Sequence, residues 1–327
     1  MTSHASRRTA HPGRSSSFYK YMATNIYTKR PFSLQEQVEK LESKGLCFCN
    51  KEEAQLFLGD VSYYRFRAYT YPFQDNSVDG DHLFVKDGIC FEDIRELYLF
   101  DRDLRSLLFN VIARIEVSIR TRITQIYSER SRDGHWFLNT DLYRCNFEKI
   151  TDDIASDVNR SNEEFIKHYY DKYGIPELPP SWMSLEVVSF GTLSRLYQSL
   201  KKDSVKKQLA LSYGVADVNV FENWLHAISN LRNCCAHHGR VWNRRFMVQL
   251  VLPYNTSRLF MDRNFMGIVR RNKLFPLLSS IKYLLDGIDS QNSFKEDLFS
   301  LLNRKVRLLS LRDMGFPANW DSQPIWK

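Results

Sequence analysis

The sequence predicts an essentially all-α protein on three grounds. Apolar residues recur at three- and four-residue steps over long windows, most strongly from Phe91 to Ser128, which is the period of a helix with one buried face. Only 13 glycines and 10 prolines punctuate 327 residues, too few for the many turns of a sandwich or barrel. With 43% hydrophobic and 14% aromatic residues the chain can build a sizeable core, which excludes global disorder. The expected architecture is a helical bundle with additional helices and a short hairpin at most.

Each element has its own signal. Residues 1–17 combine Ser, Arg and His without periodicity, and residues 1–26 read as a flexible basic arm. An Arg-rich, acid-poor leader can also be a transit peptide, but this one lacks an amphipathic helix. Order is expected over 27–327 as a single helical domain, with a helical N-terminal part (27–90), a bundle core (91–245) and a basic segment with C-terminal helices (246–327). Ser33-Leu34-Gln35-Glu36 has the form of a capping box; Leu34, Val38 and Leu41 follow at helical spacing, and Gly45 is a stop. Lys51 to Leu58 reads as a second short helix, the aromatic stretch from Val61 to Tyr69 continues the packing, and the loop around Asp75 to Asp87 is the place for the hairpin.

From Phe91 onward, Ile94, Leu97, Leu104, Leu108, Ile112, Ile115, Ile119 and Ile123 form the stripe of a long buried helix. Glu116 falls on or beside that stripe. A buried carboxylate without a partner is costly, and Arg120, one turn on, is the expected partner. Helices near Asn146–Tyr170, Trp182–Leu200, Ser204–Ser212 and Asp217–Cys235 follow, broken by Pro176, Pro179 and Pro180. Leu274–Gly287 and Ser293–Leu311 are the last helices, and Met314 to Trp320 reads as a plug that packs its aromatics.

The formal net charge of +8 is unevenly placed. Residues 1–30 carry six bases and no acid, residues 232–273 carry nine bases and only Asp262 as an acid, and the remainder is acidic. Two basic blocks on an acidic remainder suggest a polyanion contacted at defined places. No apolar run approaches the length of a membrane span and no secretory signal is present, so a cytoplasmic protein without a membrane partner is expected. The six cysteines are few for the length, and the adjacent pair Cys234 and Cys235 suits reduced thiols.

One segment could carry chemistry. Phe221, Trp224, Leu225, Ile228, Leu231 and Cys235 anchor a helix whose last turns hold Arg232, Asn233, His237 and His238, with Gly239 as a helix stop and Arg240, Arg244 and Arg245 just beyond. Asn233 and His237 are four apart and share a face, whereas Arg232 and His237 are five apart, about 140° around a regular helix. The Arg and the His can meet only in a cleft, at a frayed helix end, or across a two-fold interface between two copies. Such a group supports cleavage of an RNA phosphodiester by its own 2′-hydroxyl. The His moves the proton, the Arg holds the phosphate and its developing charge, the Asn fixes geometry, and no metal or other cofactor is required.

Arg232-Asn-Cys-Cys-Ala-His237 resembles the Arg-x4-His motif of HEPN-superfamily ribonucleases. The surrounding blocks are more specific: Lys29 to Gln37, Val61 to Phe66, Leu97 to Arg105, Arg114 to Thr121, Glu186 to Ser194, Leu231 to Arg245, and the closing Met314 to Trp320. Together they resemble the bacterial Abi family of AbiD/AbiF-type abortive-infection proteins over roughly residues 27 to 327. The resemblance implies a HEPN-like helical fold, RNA as substrate class, and a role in phage defence or as a growth-arresting toxin. It implies Arg232 and His237 as catalytic pair with Asn233 as polar companion, and a homodimer to supply the second motif copy. A cognate small RNA, acting as antitoxin or guide, is a further expectation from the likeness to type VI CRISPR effectors. Glu116, with Arg120, is a supporting candidate without an assigned role.

Other readings of the same residues carry less. A zinc site from His226, Cys234, Cys235, His237 and His238 would lack a second well-spaced donor pair, and Cys47-Phe-Cys49 has an unusual spacing for one. His238, Arg240, Trp242, Asn243, Arg244 and Arg245 are taken as RNA contacts, because a Trp among arginines suits stacking on unpaired bases. The alternative to a ribonuclease is a non-catalytic protein that holds a small RNA with the same residues.

Overall fold

Residues 91–131 contain neither Gly nor Pro and keep a helical apolar period throughout, so nothing interrupts them. In the computed structural model, which describes residues 27–77 and 80–327, they form one 41-residue helix, α4 (Phe91–Ser131), about 60 Å long. The predicted basic arm of residues 1–26 lies outside the described residues. Ile94, Leu97, Leu104, Leu108, Ile112, Ile115, Ile119 and Ile123 are all fully buried along α4. Truncating one of these isoleucines to Ala removes about 3 kcal/mol, because a packed stripe cannot close over the hole. The helix ends where Arg132 adopts a left-handed backbone (φ 53°).

Three short helices precede it: α1 (Leu34–Glu42), α2 (Lys51–Val61) and α3 (Tyr63–Thr70). The Ser33 capping box is present: the Glu36 N–H donates to Ser33 Oγ at 3.2 Å and the Ser33 N–H to Glu36 Oε2 at 2.8 Å. The hairpin region reduces to a single antiparallel bridge between Gln74 and Phe84, and no strand forms among the described residues.

The predicted Asn146–Tyr170 helix is two, α5 (Phe147–Arg160) and α6 (Glu164–Lys172), and the 182–200 helix is likewise two, α7 (Ser181–Ser184) and α8 (Phe190–Ser199). In the second case Ser189 caps α8 through the Thr192 N–H, which starts a new helix. Then come α9 (Ser204–Ser212), α10 (Val218–Ala236), α11 (Arg263–Ile268), α12 (Leu274–Asp286) and α13 (Phe294–Leu302). The expected helix over residues 293–311 stops at Leu302, and α11 was not anticipated from the periodicity.

The long helix α4 is the hub, packing against α3, α7, α8, α9, α10, α12 and α13, while α10 packs against α4, α8, α9 and α12. Glu116 and the Arg232–His237 segment therefore lie on two helices that pack against each other at the centre of the bundle. The C-terminal plug is as predicted and extends further. Phe316, Trp320 and Trp326 pack with one another and with Phe275 and Phe299 at centroid distances of 4.9 to 6.4 Å, and Trp326 Nε1 donates to Ser279 Oγ.

Candidate functional site

Asp217 caps α10 by accepting from the Asn219 N–H at 2.7 Å, and the helix buries Phe221, Trp224, Leu225, Ile228, Leu231 and Cys235. Its exposed stripe is His226, Asn230, Asn233 and His237, at the four- and three-residue steps of one face. The end of α10 is a Schellman closure. The Gly239 N–H donates to the Cys234 carbonyl at 2.8 Å and the His238 N–H to the Cys235 carbonyl at 3.0 Å. His238, not Gly239, takes the left-handed conformation (φ 54°), correcting the placement of the stop by one residue. Gly239 sits in a tight place of its own: a Cβ there would meet Cys234 Sγ at 3.0 Å and the Cys234 carbonyl at 3.2 Å.

Asn233 and His237 line one cleft of about 400 Å³ together with Asn230, Arg244, Arg245 and Met247. Its polar rim holds a potential proton-transfer group, two amides and two guanidinium groups. Asn230 joins the predicted residues there, and its position three residues before Asn233 marks the same face.

Arg232 lies elsewhere. Its guanidinium covers the ring of Phe109 on α4 at 5.4 Å, and its Nε is 3.6 Å from Glu116 Oε2. Arg232 and His237 thus do not line a common cleft within one chain, in line with their angular separation. Glu116 pairs with Arg120 at 3.0 Å, as expected, and also reaches Arg232 across the α4–α10 interface. Arg120 is fixed further by donating to the carbonyls of Leu185 and Val188. The buried pair on α4 is in this way an anchor for the Arg of α10.

The residues after α10 divide sharply. Trp242 is fully buried, stacked on Tyr69 and Phe73 at 6.4 and 6.0 Å, so it cannot stack on RNA bases as the sequence suggested. The cause is Asp101. This fully buried carboxylate accepts from the N–H groups of Val241 and Trp242, the Tyr69 hydroxyl and Arg105, and draws the chain inward. Burial pushes the Asp101 carboxyl upward, while the charge of Arg105 and the hydrogen bonds from Tyr69, Trp242 and Val241 oppose it. Every partner is a donor, which suits the carboxylate.

Arg240 donates to the Ala68 carbonyl and covers the Trp242 ring at 5.8 Å; burial lowers its pKa. Asn243 has a left-handed backbone and accepts from the buried Lys273 through Oδ1. These two residues serve the turn. His238, Arg244 and Arg245 remain exposed, with His238 lining a second, smaller cleft beside Arg102, Arg105 and Phe109. Cys235 is buried, and burial pushes its thiol up to about 12, which is unfavourable for a nucleophile.

No helix among the described residues is long and apolar enough to cross a membrane. No curated protein and no solved structure matches the chain. The sequence profile of a family described as "Abi-like protein" matches residues 56–243, from α2 through α4 and α10 to the turn at Asn243. That span contains Asp101, Glu116 and the whole Arg232–His237 motif but not the C-terminal helices, and it is narrower than the resemblance read from the sequence. Because the match covers more than half of the chain, this protein belongs to the Abi-like family.

Proposed function

We propose that the protein is an endoribonuclease of the abortive-infection type, acting in phage defence or growth arrest by cleaving RNA through attack of its 2′-hydroxyl. The observation that carries this reading is that the end of α10 presents both groups, one on each of two sides of the helix. Arg232 is held by Glu116 and Phe109, and His237 is exposed beside Asn233 in a cleft rimmed by Arg244 and Arg245. In the proposed reaction His237 accepts or returns the proton, Arg232 offsets charge on the phosphorane, and Asn233 orients the phosphate. Membership in the Abi-like family supports the defence role.

The two groups occupy different sides of α10 in one chain, so the active form is a homodimer in which two copies of the helix face each other. The Arg of one copy then meets the His of the other over a single phosphodiester. Proton transfer and charge stabilisation are both supplied by side chains, so cleavage proceeds in EDTA.

Purified full-length protein incubated with structured and single-stranded RNA in EDTA tests this. Cleavage that falls by about 100-fold or more in His237→Ala supports the enzyme. RNA that is bound but not cut, with binding indifferent to that substitution, would instead establish the non-catalytic holder of a small RNA. That second reading is favoured by one observation, the separation of Arg232 from the His237 cleft.

A further inference from the structure

We propose that Cys47, Cys49, Cys90 and Glu92 form a binding site for a thiophilic divalent metal ion, with zinc as its natural occupant. The sequence separates these residues into Cys47-Phe48-Cys49, in the link between α1 and α2, and Cys90-Phe91-Glu92, at the start of α4. The backbone brings the two triplets together. The Cys47 N–H donates to the Ile89 carbonyl at 3.0 Å and the Phe91 N–H to the Cys47 carbonyl at 2.7 Å, a parallel bridge between Cys47 and Cys90.

Phe48 and Phe91 turn to the core and stack at 5.5 Å, which holds the Cys47–Cys49 link against the first turn of α4. The donor atoms of Cys49, Cys90 and Glu92 all lie within 4.8 Å of one another, and they form the one such triple of His, Cys, Asp or Glu donors among the described residues. Cys47, paired to Cys90 through the backbone bridge, is exposed beside this triple and would swing in as the fourth donor.

Glu92 supplies an independent sign of a missing partner. Its Oε1 accepts from the Cys49 N–H at 3.2 Å, but its Oε2 is buried without any hydrogen-bond partner. A metal bond would satisfy that oxygen. A tetrahedral zinc ion with Zn–S near 2.3 Å and Zn–O near 2.0 Å places its donors about 3.5 to 3.8 Å apart, so rotamer adjustments of about 1 Å bring Cys49, Cys90 and Glu92 onto it, and Cys47 turns in to complete the tetrahedron. A disulfide between two of the three thiols would leave Glu92 Oε2 unsatisfied, whereas a metal uses all four donors. Charge is also provided for. Arg307 donates to the Gly88 carbonyl and to Asp93 Oδ2 beside the cluster, and the N-terminus of α4 contributes its positive end. The ion would clip the α1–α2 link to α4, fixing the N-terminal helices on the helix that carries Asp101 and Glu116.

The test uses the reduced full-length protein, stripped with a chelator, incubated with zinc chloride, desalted and assayed for metal by mass spectrometry, with cobalt chloride as a parallel spectroscopic probe. The expected result is one zinc per chain, a zinc-dependent rise in melting temperature, and a cobalt complex with thiolate charge-transfer bands and the visible bands of a tetrahedral site. Cys49→Ser and Cys90→Ser abolish retention, and Glu92→Gln, which keeps all three thiols, weakens affinity by about 10-fold or more. Three results would overturn the proposal: no zinc retained by the reduced protein, full retention in Cys90→Ser, or loss of the metal with Cys234→Ser instead. The Glu92→Gln and cobalt readouts decide the matter even where a cysteine variant fails to fold.

Discussion

Glu116 was legible as a buried carboxylate with a helical partner four residues away, because the Glu116–Arg120 pair is local to one helix. Its contact with Arg232 was not legible, since it spans 116 positions and depends on how α4 crosses α10. Trp242 was misread for the same kind of reason. Among arginines it looks like a base-stacking residue, but Asp101, 141 positions earlier, accepts from its backbone N–H and holds the chain where the ring packs in the core. His238 offers a prediction at this scale. It holds the left-handed position of the α10 closure that favours Gly, so His238→Gly relieves about 1 kcal/mol and raises the melting temperature by about 2 °C. Thermal denaturation checks it; a fall in melting temperature would show that the His side chain contributes more than the backbone strain costs.

The helices themselves follow from local signals. The capping box, the uninterrupted stripe of α4 and the amphipathic α10 are all readable from spacing, and all are present. What spacing did not supply was the subdivision of weak helices and the existence of α11, a six-residue helix too short to carry a period. The element that matters most for function is the turn after α10, and its position is owed to Asp101. Asp101→Asn leaves Arg105 buried without its counter-charge and should cost about 3 kcal/mol of stability, measured by urea unfolding. By contrast, Arg244→Ala with Arg245→Ala leaves stability unchanged, since both side chains are exposed. This double variant is expected to weaken RNA binding and lower its salt-dependence slope by about 1.4, two phosphate contacts on a single strand. An unchanged slope would remove both residues from the RNA surface.

For the molecule as a whole, the basic block of residues 232–273 is less of a surface than its charge suggests. Arg258 donates to the carbonyls of Tyr213 and Tyr283, Lys273 to Asn243 and Asp313, Arg240 to Ala68, and Arg232 pairs with Glu116. Arg244, Arg245, Arg263, Arg270 and Arg271 are the exposed remainder, with Arg270 donating to the Arg312 carbonyl. Composition revealed the block but not this division, because burial is decided by the fold. The proposed function depends on two such molecules meeting at α10, so that the Arg232 of one copy and the His237 of the other act on one phosphate. The most direct test mixes Arg232→Ala protein with His237→Ala protein under conditions that exchange subunits, and measures RNA cleavage in EDTA. Each variant alone is predicted to be nearly inactive, and the mixture to recover about a quarter of wild-type activity, because half of the dimers carry one intact site of two. Mixed dimers that form and remain as inactive as either parent would contradict the shared site.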